Sequence, residues 1–175
     1  HSALQTTYSI RNTVLIDGQP KQVGVKTLLL AYKDHRFEVM RRRTAFLLEK
    51  AETRLHILEG LMIAIQAIDE VVEIVKTSKD TSEAKARLEA QFQLTERQSQ
   101  AIVDMRLGRL TGLEVHKLQE EIDQLKEDIA WYNRLLTEDE LINNLIREDL
   151  DDMEAKYGNP RVTEIGGSVH EFLTE

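Results

Sequence analysis

The sequence predicts a mainly α-helical protein: a long antiparallel coiled-coil hairpin, a small helical globular knob at its tip, and a short β piece at the N-terminus. Three observations point there. The two prolines are Pro20 and Pro160, so the 139 residues between them lack the strongest helix breaker. Two separate stretches carry apolar residues at alternating steps of 3 and 4. The composition, 31% charged with only 5% aromatic residues, is that of long surface helices.

The β piece comes first. "TTYSIRNTVLIDGQPKQVGV" alternates apolar and polar residues, with Asp17-Gly18 as a turn. It is too small to be stable alone. A short helical stretch at Lys26 to Tyr32 follows, and the first long helix is expected to start near Asp34 as its N-cap. Along that helix Leu48, Ala51, Leu55, Leu58, Met62 and Ile65 step 3, 4, 3, 4, 3, a seam with the coiled-coil period of 3.5. Val115, Leu118, Ile122, Leu125, Ile129, Tyr132 and Leu136 form a second seam of the same kind.

Two matching seams separated by an insert predict one hairpin. A helix from Asp34 to Ile68 would run about 50 Å, whereas Gly112 to Leu136 gives only about 37 Å. The return arm therefore needs a second helix with a joint near Leu136-Thr137. "TEDELINNLIREDLDDMEAKYG" supplies it, with Thr137 and Glu140 as a capping box and Gly158 as the stop. Short helices fill the insert: Ile68 to Thr77, Thr81 to Phe92, and one opened by the Thr95/Gln98 capping box. Gly60, inside the first arm, costs about 1 kcal/mol relative to alanine. It marks a close helix contact where no side chain fits.

The domain plan is thus 1–33 for the β piece and connecting segment, 34–68 for the descending helix and 69–112 for the knob. The returning arm takes 113–158 and an extended tail 159–175. The chain opens on His1 rather than Met, as expected of a piece cut from something larger.

Chemistry is sparse. There is no cysteine, hence no disulfide framework or thiolate metal site, which suits a reducing cytoplasm. His1, His35, His56, His116 and His170 show no metal-binding spacing, so no metal is expected. Asp149 and Asp151 point about 200° apart on a helix and cannot share one ion. No phosphate loop, secretory signal or membrane-spanning run occurs.

The formal net charge of −8 argues against a chain that coats nucleic acid all over. Residues 1–56 hold 10 Lys+Arg against 5 Asp+Glu, a net of +5, and the rest holds 13 against 26, a net of −13. Any polyanion contact belongs to the first third, where Arg36, Arg41, Arg42 and Arg43 cluster. Those arginines either meet phosphates or pair with acidic residues of the returning helix in 146–152.

"QAIVDMRLGRLTGLE" at 100–114 begins like a helix and then stalls on Gly108 and Gly112. It is similar to the QAILDMRLxxLTGLE segment of the A subunits of bacterial type IIA topoisomerases, the DNA gyrase and topoisomerase IV family. "HRFEVMRRRTAFLLEKAETRLHILEGLMIAIQAID" resembles that family's HRxxVxxRRTxFxLxKAxxRxHILEGLxxAxxxID segment. "LINNLIREDLDDMEAKYGNPRVTEI" resembles its IIREELxxxxxxxGDxRRTEI ending, and "YSIRNTVLIDGQPK" its INMVALxxGxPK strand. The likeness runs from about Leu4 to Ile165.

This resemblance implies that residues 1–33 end a tower domain and that the tail leads to a DNA-wrapping domain. The knob would be the exit gate at which two such chains meet. Met105, Leu107, Gly108, Leu110, Thr111 and Leu113 would make that homodimer contact, and Arg36 and Arg41 to Arg43 would touch DNA or the tower. The implied parent is a cytoplasmic, chromosome-associated enzyme that changes DNA supercoiling by ATP-dependent double-strand passage. Its B subunit, in an A2B2 complex on double-stranded DNA, would supply ATP and Mg²⁺ chemistry, with no cofactor held here and no membrane. The density of matches points to gyrase, with the decatenating enzyme topoisomerase IV as the alternative. The family's nucleophilic tyrosine follows an arginine, whereas Tyr8, Tyr32, Tyr132 and Tyr157 follow Thr7, Ala31, Trp131 and Lys156. No catalytic residue is expected in this stretch.

Overall fold

The protein, described by a computed structural model over residues 9–106, 108 and 111–163, opens with a two-stranded antiparallel hairpin, β1 (Thr13–Ile16) and β2 (Gln19–Gln22). Ile16 pairs with Gln19 across a two-residue turn. Asp17 (φ 53°) and Gly18 (φ 73°) both take left-handed backbone, the conformation whose twist matches the strands.

Helix α1 then runs unbroken from Val25 to Gln66, 42 residues. This corrects the expected start at Asp34 and the separate stretch at Lys26 to Tyr32. "VKTLLLAYK" consists mostly of good helix formers and contains no breaker, so the helix starts directly after Gly24 and Asp34 sits mid-helix. At 1.5 Å per residue α1 is about 63 Å long. The return arm is α5 (Gly112–Thr137) and α6 (Asp139–Tyr157), about 39 and 28 Å, which together match α1.

Ion pairs fix the direction: Arg36 meets Asp149, Arg41 meets Asp139 and Arg54 meets Glu121. Partner numbers fall as α1 numbers rise, so the arms are antiparallel.

The joint lies at Glu138 (φ −111°, ψ 89°). The proposed Thr137/Glu140 capping box is not formed. The Thr137 hydroxyl instead donates back to the carbonyls of Asn133 (2.9 Å) and Arg134 (3.1 Å), closing the last turn of α5. Under the joint, Leu135, Ile142 and Ile146 form a small core with Phe37, Met40 and Tyr132 packed on it. Trp131 lies outside that core, 41% exposed, with the Arg134 guanidinium 5.8 Å from its ring centre. At the far end α6 stops at Gly158, whose backbone is extended (φ −64°) rather than left-handed. A Cβ there would run into the Glu154 carbonyl, which the Gly158 N–H already binds at 2.7 Å.

The knob is built from α2 (Ile68–Thr77), α3 (Thr81–Phe92) and α4 (Glu96–Val103). Caps set these boundaries. Asp80 accepts from the Glu83 N–H (2.8 Å) while Glu83 accepts from the Lys79 N–H (2.9 Å). Thr95 and Gln98 form the expected capping box. Replacing Asp80 by alanine should lower stability by about 1 kcal/mol, read as a reduced urea midpoint at unchanged slope.

The main core sits where the knob meets the hairpin. Leu58, Leu61 and Ala64 of α1 pack there with Val71, Ile74, Leu88, Leu94 and Ile102 of the knob and Leu118 and Ile122 of α5. Buried Ser99 donates to Glu89 (2.6 Å) and to the Glu96 carbonyl (3.0 Å), tying α4 to α3. Among the described residues no helix is long and apolar enough to cross a membrane, and no group of His, Cys, Asp or Glu is placed to hold a metal.

Candidate functional site

The two seams face each other as a paired stripe. On α1, Ala51 and Leu58 are buried and Leu48, Leu55, Met62 and Ile65 half-buried. On the return arm, Leu118 and Ile122 are buried, while Val115, Leu125, Ile129, Tyr132 and Leu136 are half-buried. Buried Thr44, four residues before Leu48, extends the first seam, while buried Gly60, Leu61, Ala64 and Leu135 fall outside the 3–4 pattern. Thr44 hides its hydroxyl by donating to the Met40 carbonyl (2.9 Å). Leu61 and Ala64 are buried because α1 is covered near the knob on a second side, a contact that no single-helix pattern reports.

Arg54 and Glu121 clamp the arms together. Two parallel bonds, Nε to Oε1 at 2.7 Å and Nη2 to Oε2 at 3.0 Å, make a bidentate pair. The Glu121 bonds, outweighing partial desolvation, hold the Arg54 guanidinium above its ordinary pKa. This pair escaped the sequence reading, although positions flanking a coiled-coil seam are where such charges belong. Lys126 also reaches Glu59 across the arms at 3.9 Å.

Gly60 is buried, and a Cβ on it would lie 2.7 Å from Gln98 Cγ and 2.8 Å from Gln98 Cβ. Gln98 crosses α1 here and donates to the His56 carbonyl at 2.7 Å, while His56 Nε2 lies 2.7 Å from the Thr95 hydroxyl. The glycine and histidine thus seat α4, and through it the knob, on the arm.

The basic cluster divides. Arg36 binds Asp149 at 2.8 Å, and Arg41 spans the joint from Asp139 (3.2 Å) to the Leu136 carbonyl (3.4 Å). Arg42 turns to Glu38 of its own helix (3.6 Å), and Arg43 takes no ion-pair partner among the described residues. Two of the four arginines are therefore engaged by the return arm. Asp149, one of the two aspartates weighed as metal ligands, is Arg36's partner.

Of the six gate positions, Leu107 and Leu110 lie outside the described residues. Met105 is half-buried and packs against the main core, and its N–H binds the Ile102 carbonyl (3.1 Å). Gly108 is exposed, its carbonyl accepting from the Thr111 hydroxyl at 3.3 Å. Thr111 is exposed in extended backbone and starts α5 without a side-chain cap. Leu113, on the first turn of α5, is 69% exposed. Gly108 and Gly112 differ from Gly60: among the described residues nothing lies within 4 Å of a Cβ built on either. Nothing described within this chain requires a glycine at those two places.

Comparison with known proteins matches this sequence to one family. Residues 1–151 match the family described as the A subunit of DNA gyrase/topoisomerase IV. The DNA gyrase A subunit of Aminobacterium colombiense is 44% identical over 172 residues, covering 98% of this chain and 21% of that protein. The Metamycoplasma arthritidis protein of the same name is 46% identical over 166 residues, covering 95% of this chain and 18% of the relative. The one from Halalkalibacterium halodurans is 44% identical over 174 residues, or 99% and 21%. The chain spans about a fifth of the length of these curated relatives.

Proposed function

Because the chain belongs to the family of DNA gyrase and topoisomerase IV A subunits, we propose that it forms the coiled coil and exit-gate dimer contact of a gyrase-type A subunit. In that reading the parent enzyme acts as an A2B2 complex with its B subunit on chromosomal double-stranded DNA. It passes one duplex through a transient break in another at the expense of ATP, and the passed duplex leaves through this gate. The hairpin contributes length and stiffness: two arms of about 63 Å clamped by Arg54–Glu121 move a distant knob as a lever. The knob contributes the contact that closes and opens.

One observation carries the gate reading. The 105–113 stretch presents a largely exposed leucine, Leu113, beside two glycines that nothing described in their own chain calls for. Glycines on a face that meets its own copy across a two-fold axis allow close backbone approach, and an exposed leucine supplies apolar contact. A small contact suits a gate that must part in every cycle.

Sedimentation equilibrium tests this directly. The chain is expected to be a dimer that Leu113→Asp converts to a monomer, with an unchanged helical circular dichroism signal because Leu113 lies at the surface. A dimer indifferent to the change would move the contact elsewhere on the hairpin, and a monomer from the start would remove the gate reading.

A further inference from the structure

We propose that α6 is a strap that releases from α1 as a unit, pivoting at the joint, and that Arg41 is the latch that holds it shut. The inference stands on the hairpin alone and needs no second copy. Only the return arm has a pivot: it breaks at Glu138 (φ −111°, ψ 89°), while α1 runs unbroken from Val25 to Gln66 past the same level.

Packing along the hairpin is uneven. The cluster at the knob encloses ten buried residues drawn mostly from five helices, whereas the cluster under the joint encloses three, Leu135, Ile142 and Ile146. Only Ile142 and Ile146 belong to α6, and every residue from Arg147 to Tyr157 is exposed. On the facing arm α1 has no buried residue before Thr44. With so little apolar surface enclosed, α6 parts from α1 at a lower cost than α5, which the main core and the Arg54–Glu121 clamp hold in place.

Arg41 stands where such a strap is caught. From the continuous arm its guanidinium donates on one side to the carboxylate of Asp139, the first residue of α6, at 3.2 Å. On the other side it donates to the carbonyl of Leu136, in the last turn of α5, at 3.4 Å. A rigid planar fork fixes the angle between the two groups it binds, which a point charge does not. Among the described residues Arg36–Asp149 is the other ion pair from α1 to α6, while Arg147–Glu140 and Lys156–Asp152 lie within α6 itself. Both ties are exposed, so they hold weakly and reversibly. Release would uncover Phe37 and Met40 of α1 and confine the stiff part of the lever to the span between joint and knob.

Hydrogen–deuterium exchange on the whole chain, read by mass spectrometry, tests this. Residues 141–147 are expected to exchange about tenfold faster than residues 118–125 of α5 or more, with a weaker urea dependence because their opening exposes less surface. Arg41→Gln should speed 141–147 by about two- to five-fold, the range that an exposed ion pair supplies, and leave 118–125 and the knob unchanged. Arg41→Lys, which keeps the charge and loses the fork, should act in the same direction. Exchange of 141–147 in step with 118–125 would overturn the strap. A faster α6 segment indifferent to both substitutions would overturn Arg41 as its latch, and so would equal acceleration of both segments.

Discussion

Leu58→Ala should lower the free energy of unfolding by about 2–5 kcal/mol, the range for deleting a fully enclosed leucine. Leu58 has no exposed surface and lies in the cluster where α1 meets the knob helices and α5. Removing three carbons there leaves a cavity whose walls belong to several helices held by different caps and ion pairs, so they cannot all close on it. A domain of this size is stable by roughly 5–15 kcal/mol, so the loss should move the urea midpoint far enough to read by circular dichroism. Leu48→Ala is the control: its side chain is only half-buried, on a stretch away from the knob, and should cost visibly less. Equal losses at the two positions would mean that the arms, rather than the junction with the knob, carry the stability.

The same comparison explains which parts of the fold were legible in the sequence. The knob's helices at Ile68–Thr77 and Thr81–Phe92 and the start of the third were readable because a capping box such as Thr95/Gln98 acts on neighbours three positions away, and local chemistry is what a sequence displays. The hairpin was readable because a 3–4 alternation can bury its stripe only against a matching one. The misses also have local causes. Asp34 has the side chain of an N-cap but stands after nine residues with no reason to leave the helix, and the missing breaker outweighs the available cap. Thr137 has the spacing of a capping box, yet its hydroxyl finds carbonyls in the turn behind it before it reaches an amide ahead.

Long-range pairings were less visible. Pairing of the basic cluster within 146–152 was one of two alternatives the sequence left open; Arg36 takes it with Asp149, whereas Arg41 pairs with Asp139 outside that window. That Arg54 would find Glu121 needed the lateral offset of the helices, which no periodicity contains. At 105–113 the sequence shows an anomaly, glycines beside leucines, and nothing described within the chain requires Gly108 or Gly112.

At Gly60, unlike Gly108 and Gly112, substitution by alanine sets two effects of opposite sign against each other within the chain. An alanine in a helix interior is worth about 1 kcal/mol over glycine, so on helix propensity alone the change should stabilise. The new methyl group, however, would stand 2.7 Å from Gln98 Cγ and 2.8 Å from Gln98 Cβ, closer than real carbon contacts. Gln98 has little freedom to retreat. Its Oε1 accepts from the Thr95 N–H at 3.0 Å and its Nε2 donates to the His56 carbonyl at 2.7 Å, and the residue is only 7% exposed. Moving it breaks bonds worth about 0.5–1.5 kcal/mol each, and keeping it forces α4 away from α1 at an overpacking cost of roughly 1–3 kcal/mol. The clash should win, giving a net loss of about 1–2 kcal/mol, with Gly60→Leu unseating the knob outright. In a Gln98→Ala background, where the Cγ and Cδ contacts are gone, Gly60→Ala should cost less, so the double-mutant cycle should show coupling. If Gly60→Ala instead raises the melting temperature, α4 is not held against α1 at this point, and the seating of the knob by Gln98 and His56 is wrong.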